Sequence, residues 1–391
     1  MVKPFQFARI PLIYFGNGRI TGLPGLIKRY GTSIILVTGQ KSFMNSEHSE
    51  ILFSTFQKNG IKHHRVIISK EPSPEMIDEA VNRFNQNSVD IIVGIGGGSV
   101  IDAGKSISAM IYKPESVKEY LEGVGNREHP GTKLPFIAVP TTSGTGSEAT
   151  KNAVISHIGK DGFKKSLRHD NFVPDIAIVD PELTFNCPKE ITAASGMDCF
   201  TQLTEAFLSD ISSEYTDALA WEGLKAIKSS LVQSYLQGLD REARAGMSFA
   251  ALTSGLCLAN AGLGVVHGFA SSIGGMYNIP HGVICGTLMA PANAISVREI
   301  RKNANNDVAL KKYIRLGKLF LNAELKSDNY YIDGFIQYLQ KLTYDLQLPG
   351  LKQYGLEEKH IEMICMNTEI KNNPVKLDLE NLMEIISSRV L

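Results

Sequence analysis

Residues Val89–Lys105 read VDIIVGIGGGSVIDAGK, an apolar run that enters three consecutive glycines and leaves as a helix-like segment. Glycines let a backbone approach a ligand closely, and a helix that starts there offers free N–H groups to an anion. Pyrophosphate is the natural occupant of such a turn. The spacing departs from G-x-G-x-x-G because Ser99 stands where the last glycine would be, so this stretch alone reads equally well as a tight turn. Similar apolar runs occur on either side, at residues 33–38 (SIILVT), 65–69 (RVIIS), 136–139 (FIAV) and 176–179 (IAIV). Residues 75–85 between them carry helical spacing, with Met76, Ala80 and Phe84 on one side. Short apolar runs alternating with helices predict a parallel sheet covered on both faces.

A second loop sharpens the reading. Pro140–Glu148 (PTTSGTGSE) also follows a strand-like run and gathers hydroxyls and two glycines. Such a loop can donate to phosphate and ribose oxygens. Two loops of this kind after parallel strands meet at the carboxyl edge of one sheet, where doubly wound folds bind ligands. Together they predict a dinucleotide site.

Past Asp180-Pro181 the texture becomes helical, with helices expected over residues 203–208, 216–239, 242–260 and 311–321. The expected organisation is an α/β dinucleotide-binding unit over residues 1–185 and an all-helical unit over 186–391. In the second, Asp198 and Gln202 stand four apart, on one helix face. His267 and His281 follow among small and apolar neighbours. Imidazole with carboxylate suits Fe(II) or Zn(II). A helix cap, a surface charge and a hydrogen-bonded core histidine are the competing readings.

Lys plus Arg and Asp plus Glu number 40 each, so the net charge is zero and no basic stripe invites nucleic acid. The one basic cluster, Lys164, Lys165, Arg168 and His169, reads as a solvated loop. The five cysteines are widely spaced, with no C-x-x-C, which fits neither a disulfide framework nor a zinc finger. No signal peptide or membrane-length apolar run is seen, and a reduced, cytoplasmic setting is expected.

The stretches GGGSVIDAGK (96–105), PTTSGTGSEAT (140–150), PDIAIVDPELT (174–184), GMDCFTQLTEAFLS (196–209) and GLGVVHGFASSIGGMYNIPHG (262–282) together resemble the iron-containing alcohol dehydrogenase family. The resemblance spans nearly the whole chain. It implies a Rossmann-like domain followed by an all-α domain, as in dehydroquinate synthase-like folds, with NAD or NADP and a divalent metal between them. It implies a homodimer acting on a small alcohol, aldehyde or ketone, with neither nucleic acid nor membrane as partner. The metal would be held by Asp198, Gln202, His267 and His281; Asp198 and the two histidines would also be the catalytic set. Gln202 stands where the family has histidine, and Ser271 where many members have another histidine, so weaker metal retention and a different proton path are expected. The cofactor would meet Gly96, Gly97, Gly98, Ser99, Asp102, Thr141, Thr142, Thr145, Ser147, Asn152, Lys164, Val179 and Leu183. At the end of the second strand, Gly39 replaces the acidic residue of many NAD users and Lys41 follows, which favours NADP. The alternatives are a polyol dehydrogenase, a maleylacetate reductase, a cyclase or lyase akin to dehydroquinate synthase, and a nucleotide-binding protein with lapsed catalysis.

Overall fold

A computed structural model describes residues 2, 4–85, 88–159, 162–302 and 307–390. Six strands form one wholly parallel sheet: β1 (Leu12–Phe15), β2 (Ser33–Gly39), β3 (Lys62–Ile68), β4 (Ile91–Gly96), β5 (Phe136–Pro140) and, after a hairpin, β8 (Ile176–Val179). Their order is β1-β8-β5-β4-β2-β3. The hairpin is the antiparallel pair β6 (Asn152–His157) and β7 (Phe163–Arg168), with Asn152 opposite Arg168. Helices α1 (Leu23–Ile27), α2 (Glu47–Lys58), α3 (Pro74–Phe84) and α4 (Gly98–Met110) accompany the sheet.

Burial explains the apolar runs. β4 is central and all six of its residues are buried, so it reads as a continuous apolar run without alternation. Gly94 on β4 and Gly104 on α4 leave room for the Phe136 ring. A Cβ on Gly104 would sit 2.7 Å from that ring. The glycines therefore set how closely α4 lies on the sheet.

The helical part comprises α5 (Lys189–Leu208), α6 (Glu214–Leu236), α7 (Arg241–Ala261), α8 (Val265–Met276), α9 (His281–Lys302), α10 (Asp307–Phe320), α11 (Asp328–Asp345), α12 (Ile361–Met366) and α13 (Leu379–Val390). Long α5 runs through its core, packed against α6, α7 and α9. Among the described residues no single helix is long and apolar enough to cross a membrane.

Several expectations shift. β3 begins three residues early, at Lys62, because it is the sheet's edge and its first residues are exposed. β1 escapes notice because it is four residues long and Leu12 is exposed. Of the stretch read as a solvated basic loop, Lys164, Lys165 and Arg168 instead belong to strand β7 and line a cleft.

Candidate functional site

Because every sheet strand runs the same way, all six carboxyl ends share one edge. Gly96 ends β4, and Gly97 and Gly98 open α4; Pro140 ends the neighbouring β5 and leads into the hydroxyl-rich loop. The two loops are stitched together. The Thr141 N–H donates to the Gly96 carbonyl at 2.9 Å. A Cβ on Gly97 would lie 3.3 Å from Thr142 Oγ1, and one on Gly98 would lie 2.9 Å from Thr145 Cγ2. Thr145 Oγ1 and Ser147 Oγ are 3.0 Å apart. Ser99 is the second residue of α4, at its N-terminal turn.

Lys105 fixes this arrangement from below, a role that sequence reasoning missed. Its buried amine donates to the carbonyls of Ser147 (2.9 Å), Thr150 (2.9 Å) and Asn152 (2.7 Å). Burial pushes the amine down to about 8, with Asp102 and Glu148 opposing. Asp102, one turn earlier on α4, is buried, and burial pushes its carboxyl up to about 6. Its Oδ1 has no hydrogen-bond partner. A buried polar atom left unsatisfied is costly, so this oxygen points to a donor supplied by a ligand.

At the same edge, Gly39 ends β2, and Lys41 is exposed in the following loop. Arg65, which the sequence analysis did not single out, reaches across from β3 to the Gly39 carbonyl at 2.9 Å. Val179 ends β8, and Leu183 lies in the turn after it.

The second cluster lies in the helical part. Asp198 and Gln202 are one turn apart on α5, His267 is the third residue of α8, and His281 opens α9. Asp198 Oδ1 faces Nε2 of His267 at 3.4 Å and Nε2 of His281 at 3.6 Å. Cys285, one turn along α9, places its Sγ 3.7 Å from both imidazole nitrogens. Ligands around 2.0–2.3 Å from a central ion stand about 3.3–3.8 Å apart at the corners of a tetrahedron, so these separations suit a small cation. Two oxygens support that fit: Asp198 Oδ1 and Gln202 Oε1 are both buried without a hydrogen-bond partner.

Glu205, also missed, orients the cluster. Its Oε2 accepts from His267 Nδ1 at 2.6 Å, and its Oε1 accepts from the Val266 N–H at 2.7 Å. The first bond fixes the His267 tautomer, leaving Nε2 turned toward Asp198. The second satisfies an orphan donor at the start of α8. Glu205 stands seven residues after Asp198, two turns along the same face of α5, and that spacing was its only signal in the sequence.

The electrostatics divide the two histidines. Burial works against the charged form of both. At His267 the facing carboxylates of Glu205 and Asp198 outweigh it, and its pKa lies well above the usual imidazole value. At His281 burial wins over Asp198 and lowers the value to about 4. The imidazoles in turn overcome burial at Asp198 and hold its carboxyl below the usual range. Burial pushes the Cys285 thiol up to about 12.

Beside this cluster opens a cleft of about 770 Å³, lined by the β6–β7 hairpin, the end of α7, α8 and the segment after α12. Asn152, Lys164 and Ser271 line it. Ser271 Oγ bonds back to the His267 carbonyl at 3.0 Å. Phe200 and Phe269 are wholly buried, and Phe200 packs on Phe320 and Phe335. The apolar lining comes from Phe163, Leu258, Ala259, Leu263, Met276 and Met363.

A nucleotide-type turn on a parallel sheet, facing an acid–imidazole cluster in a separate bundle of helices, defines the class of two-part, metal-assisted dehydrogenases. Within that class the chain belongs to the iron-containing alcohol dehydrogenase family. The model described as "Iron-containing alcohol dehydrogenase" matches residues 11–181, and "Fe-containing alcohol dehydrogenase family, C-terminal" matches residues 192–390. The chain is 31% identical over 352 residues to the NADPH-dependent butanol dehydrogenase of Clostridium saccharobutylicum, covering 90% of this chain and 87% of that protein. It is 28% identical to the NAD-dependent methanol dehydrogenase of Bacillus methanolicus, covering 97% and 98%. Among solved structures, the alcohol dehydrogenase from Oenococcus oeni superposes with a TM-score of 0.85 at 27% identity, covering 99% of this chain and 100% of the other.

Proposed function

We propose that this chain interconverts a small alcohol and its aldehyde or ketone by hydride exchange with a nicotinamide dinucleotide, assisted by a divalent metal. The observation that carries this reading is the convergence of Asp198 Oδ1 with Nε2 of His267 and His281, beside a buried and unpartnered Gln202 Oε1. Asp198, Gln202, His267 and His281 would hold the ion, with the Cys285 thiol as a further donor in reach. Fe(II) or Zn(II) bound there would supply Lewis acidity to the substrate oxygen.

The chain's own residues do the rest. Backbone N–H groups at Gly97–Ser99 and the hydroxyls of Thr141, Thr142, Thr145 and Ser147 cradle phosphate and ribose. Asp102 accepts from a cofactor hydroxyl or amide. Lys164 and Asn152 contact the cofactor at the cleft. Glu205 keeps His267 in the ligating tautomer. Ser271 donates its hydroxyl to the His267 carbonyl, so it would not serve as the substrate's proton relay. We take residues 185–186 as the boundary between the two units.

Replacing Glu205 by Gln removes one acceptor while keeping the shape. Metal affinity should fall about 10- to 100-fold, read by chelator competition at unchanged helical content. An unchanged affinity would show that Glu205 does not orient the site.

NADP is favoured by Lys41 and Arg65 at the end of β2, with no carboxylate there to repel a 2′-phosphate. Lys41 is exposed, so Lys41→Ala should reduce the preference for NADPH over NADH only about two- to five-fold. An unchanged ratio would assign the preference elsewhere. The overall test follows absorbance of NADPH or NADH with a panel of aldehydes and ketones, after anaerobic loading with Fe(II) or Zn(II) or treatment with chelator. Metal-dependent oxidation of the reduced cofactor is expected. Cofactor binding with no turnover under any metal would overturn the dehydrogenase reading.

A further inference from the structure

We propose that the substrate carries an anionic head group, a carboxylate, sulfonate or phosphonate, bound by Lys371 in the cleft beside the His267 helix. The inference rests on the dehydrogenase reading and specifies its substrate class.

The cleft lining holds five basic side chains, Lys151, Lys164, Lys165, Arg168 and Lys371, and the carboxylates paired with the first four leave one of them in excess. A pocket shaped for a plain short alcohol would instead be largely apolar. The anion expected here is not the cofactor's pyrophosphate. None of Gly96–Ser99 or Thr141–Ser147 lines this cleft.

Lys371 differs from the other four. Lys151 pairs with Asp170 (2.6 Å), Lys164 with Glu71 (3.1 Å), Arg168 with Glu122 (3.3 Å) and Lys165 with Glu369 (3.7 Å). Lys371 has no carboxylate partner among the described residues. Its Nζ donates to the backbone carbonyl of His267 at 3.2 Å, which sets its charge against the first turn of α8.

The backbone points the same way. Lys371 has φ of +50°, a left-handed conformation that glycine adopts freely and L side chains rarely do. An observed departure of this kind is a reason to look for a function of the side chain. The residue is also held in place. The Asn372 N–H donates to the Leu263 carbonyl at 2.9 Å, and the Glu369 carbonyl lies 1.9 Å from where a Cβ on Gly268 would be. Gly268 thus lets the Lys371 segment seat directly on α8, one residue from His267.

The head group takes no part in bond making. In reduction the bound nicotinamide would supply hydride to the carbonyl carbon, itself becoming oxidised, and water would supply the proton to the oxygen. The anion stays on Lys371 and fixes the distance between head group and reacting carbon.

The test compares butanal with succinic semialdehyde, sulfoacetaldehyde and phosphonoacetaldehyde on the metal-loaded protein with NADPH and NADH. At least one anionic aldehyde should exceed butanal in kcat/KM by about 10- to 100-fold, the range expected of one charge-assisted contact. Which one leads identifies the head group. Lys371→Met should cut the anionic-to-neutral ratio by a similar factor, mainly through KM. Lys371→Gly, which suits the backbone conformation, should do the same and guards against a folding defect. Calorimetry with ethylphosphonate and ethanesulfonate reads the anion site without turnover, and binding should weaken in both variants. Butanal turned over as well as every anionic aldehyde, or a ratio unchanged in both variants, would overturn the proposal and leave the dehydrogenase reading standing. Absence of turnover for every aldehyde while Lys371-dependent anion binding persists would overturn the dehydrogenase reading alone.

Discussion

His267→Ala should purify without bound metal and with turnover lowered on the order of 1000-fold or more, since the Lewis acid's share of the barrier is several kcal/mol. His267 has the largest expected effect because ring and backbone contacts converge on one residue. Its Nε2 faces Asp198 at 3.4 Å, its Nδ1 is fixed by Glu205 at 2.6 Å, and its carbonyl receives Lys371 and Ser271. Alanine keeps the backbone contacts and removes the ring. The loss should therefore appear in metal content, measured by elemental analysis, before it appears in stability. In the proposed site His267 is also the residue whose proton a metal would have to displace. Its raised pKa keeps that proton on the ring to higher pH, so metal uptake should strengthen as pH rises through its titration and weaken below it. Turnover that persists in His267→Ala without metal would remove the Lewis-acid role.

Gly98→Val should weaken cofactor binding on the order of 100-fold, read by fluorescence titration of the reduced cofactor. A Cβ there would stand 2.9 Å from Thr145 Cγ2 and 3.0 Å from Thr145 Oγ1, and valine adds two methyls. The side chain would wedge the β4 turn away from the β5 loop, misplacing at least two donors at roughly 1–1.5 kcal/mol each. Gly98 is the first residue of α4, so the strain falls on the turn and spares the sheet. Binding unchanged in this variant would show that the two loops do not act as one cradle.

The parallel sheet was readable because its central strands are buried on both faces and so appear as uninterrupted apolar runs. The edges were not. Lys62, His63 and His64 of β3 look like loop because water covers them, and β1 has four residues, one of them an exposed leucine. The hairpin was hidden for a related reason: β7 spells FKKSLR, and its charges read as solvent-facing until the helices that complete the cleft are in view. Asp198 and Gln202 were legible from helical spacing, and the two histidines from their apolar surroundings. Glu205, Lys105 and Lys371 were not, since each acts on groups far away in sequence, and no local pattern records a contact across 62, 45 or 104 residues.

The Lys105 amine has a consequence for how the cofactor arrives. Three carbonyls of one segment share a single buried cation, so that segment cannot swing outward without stranding a charge in the core. Under the proposed reading the nucleotide would therefore meet Ser147–Asn152 already fixed, and docking would owe that segment no ordering entropy.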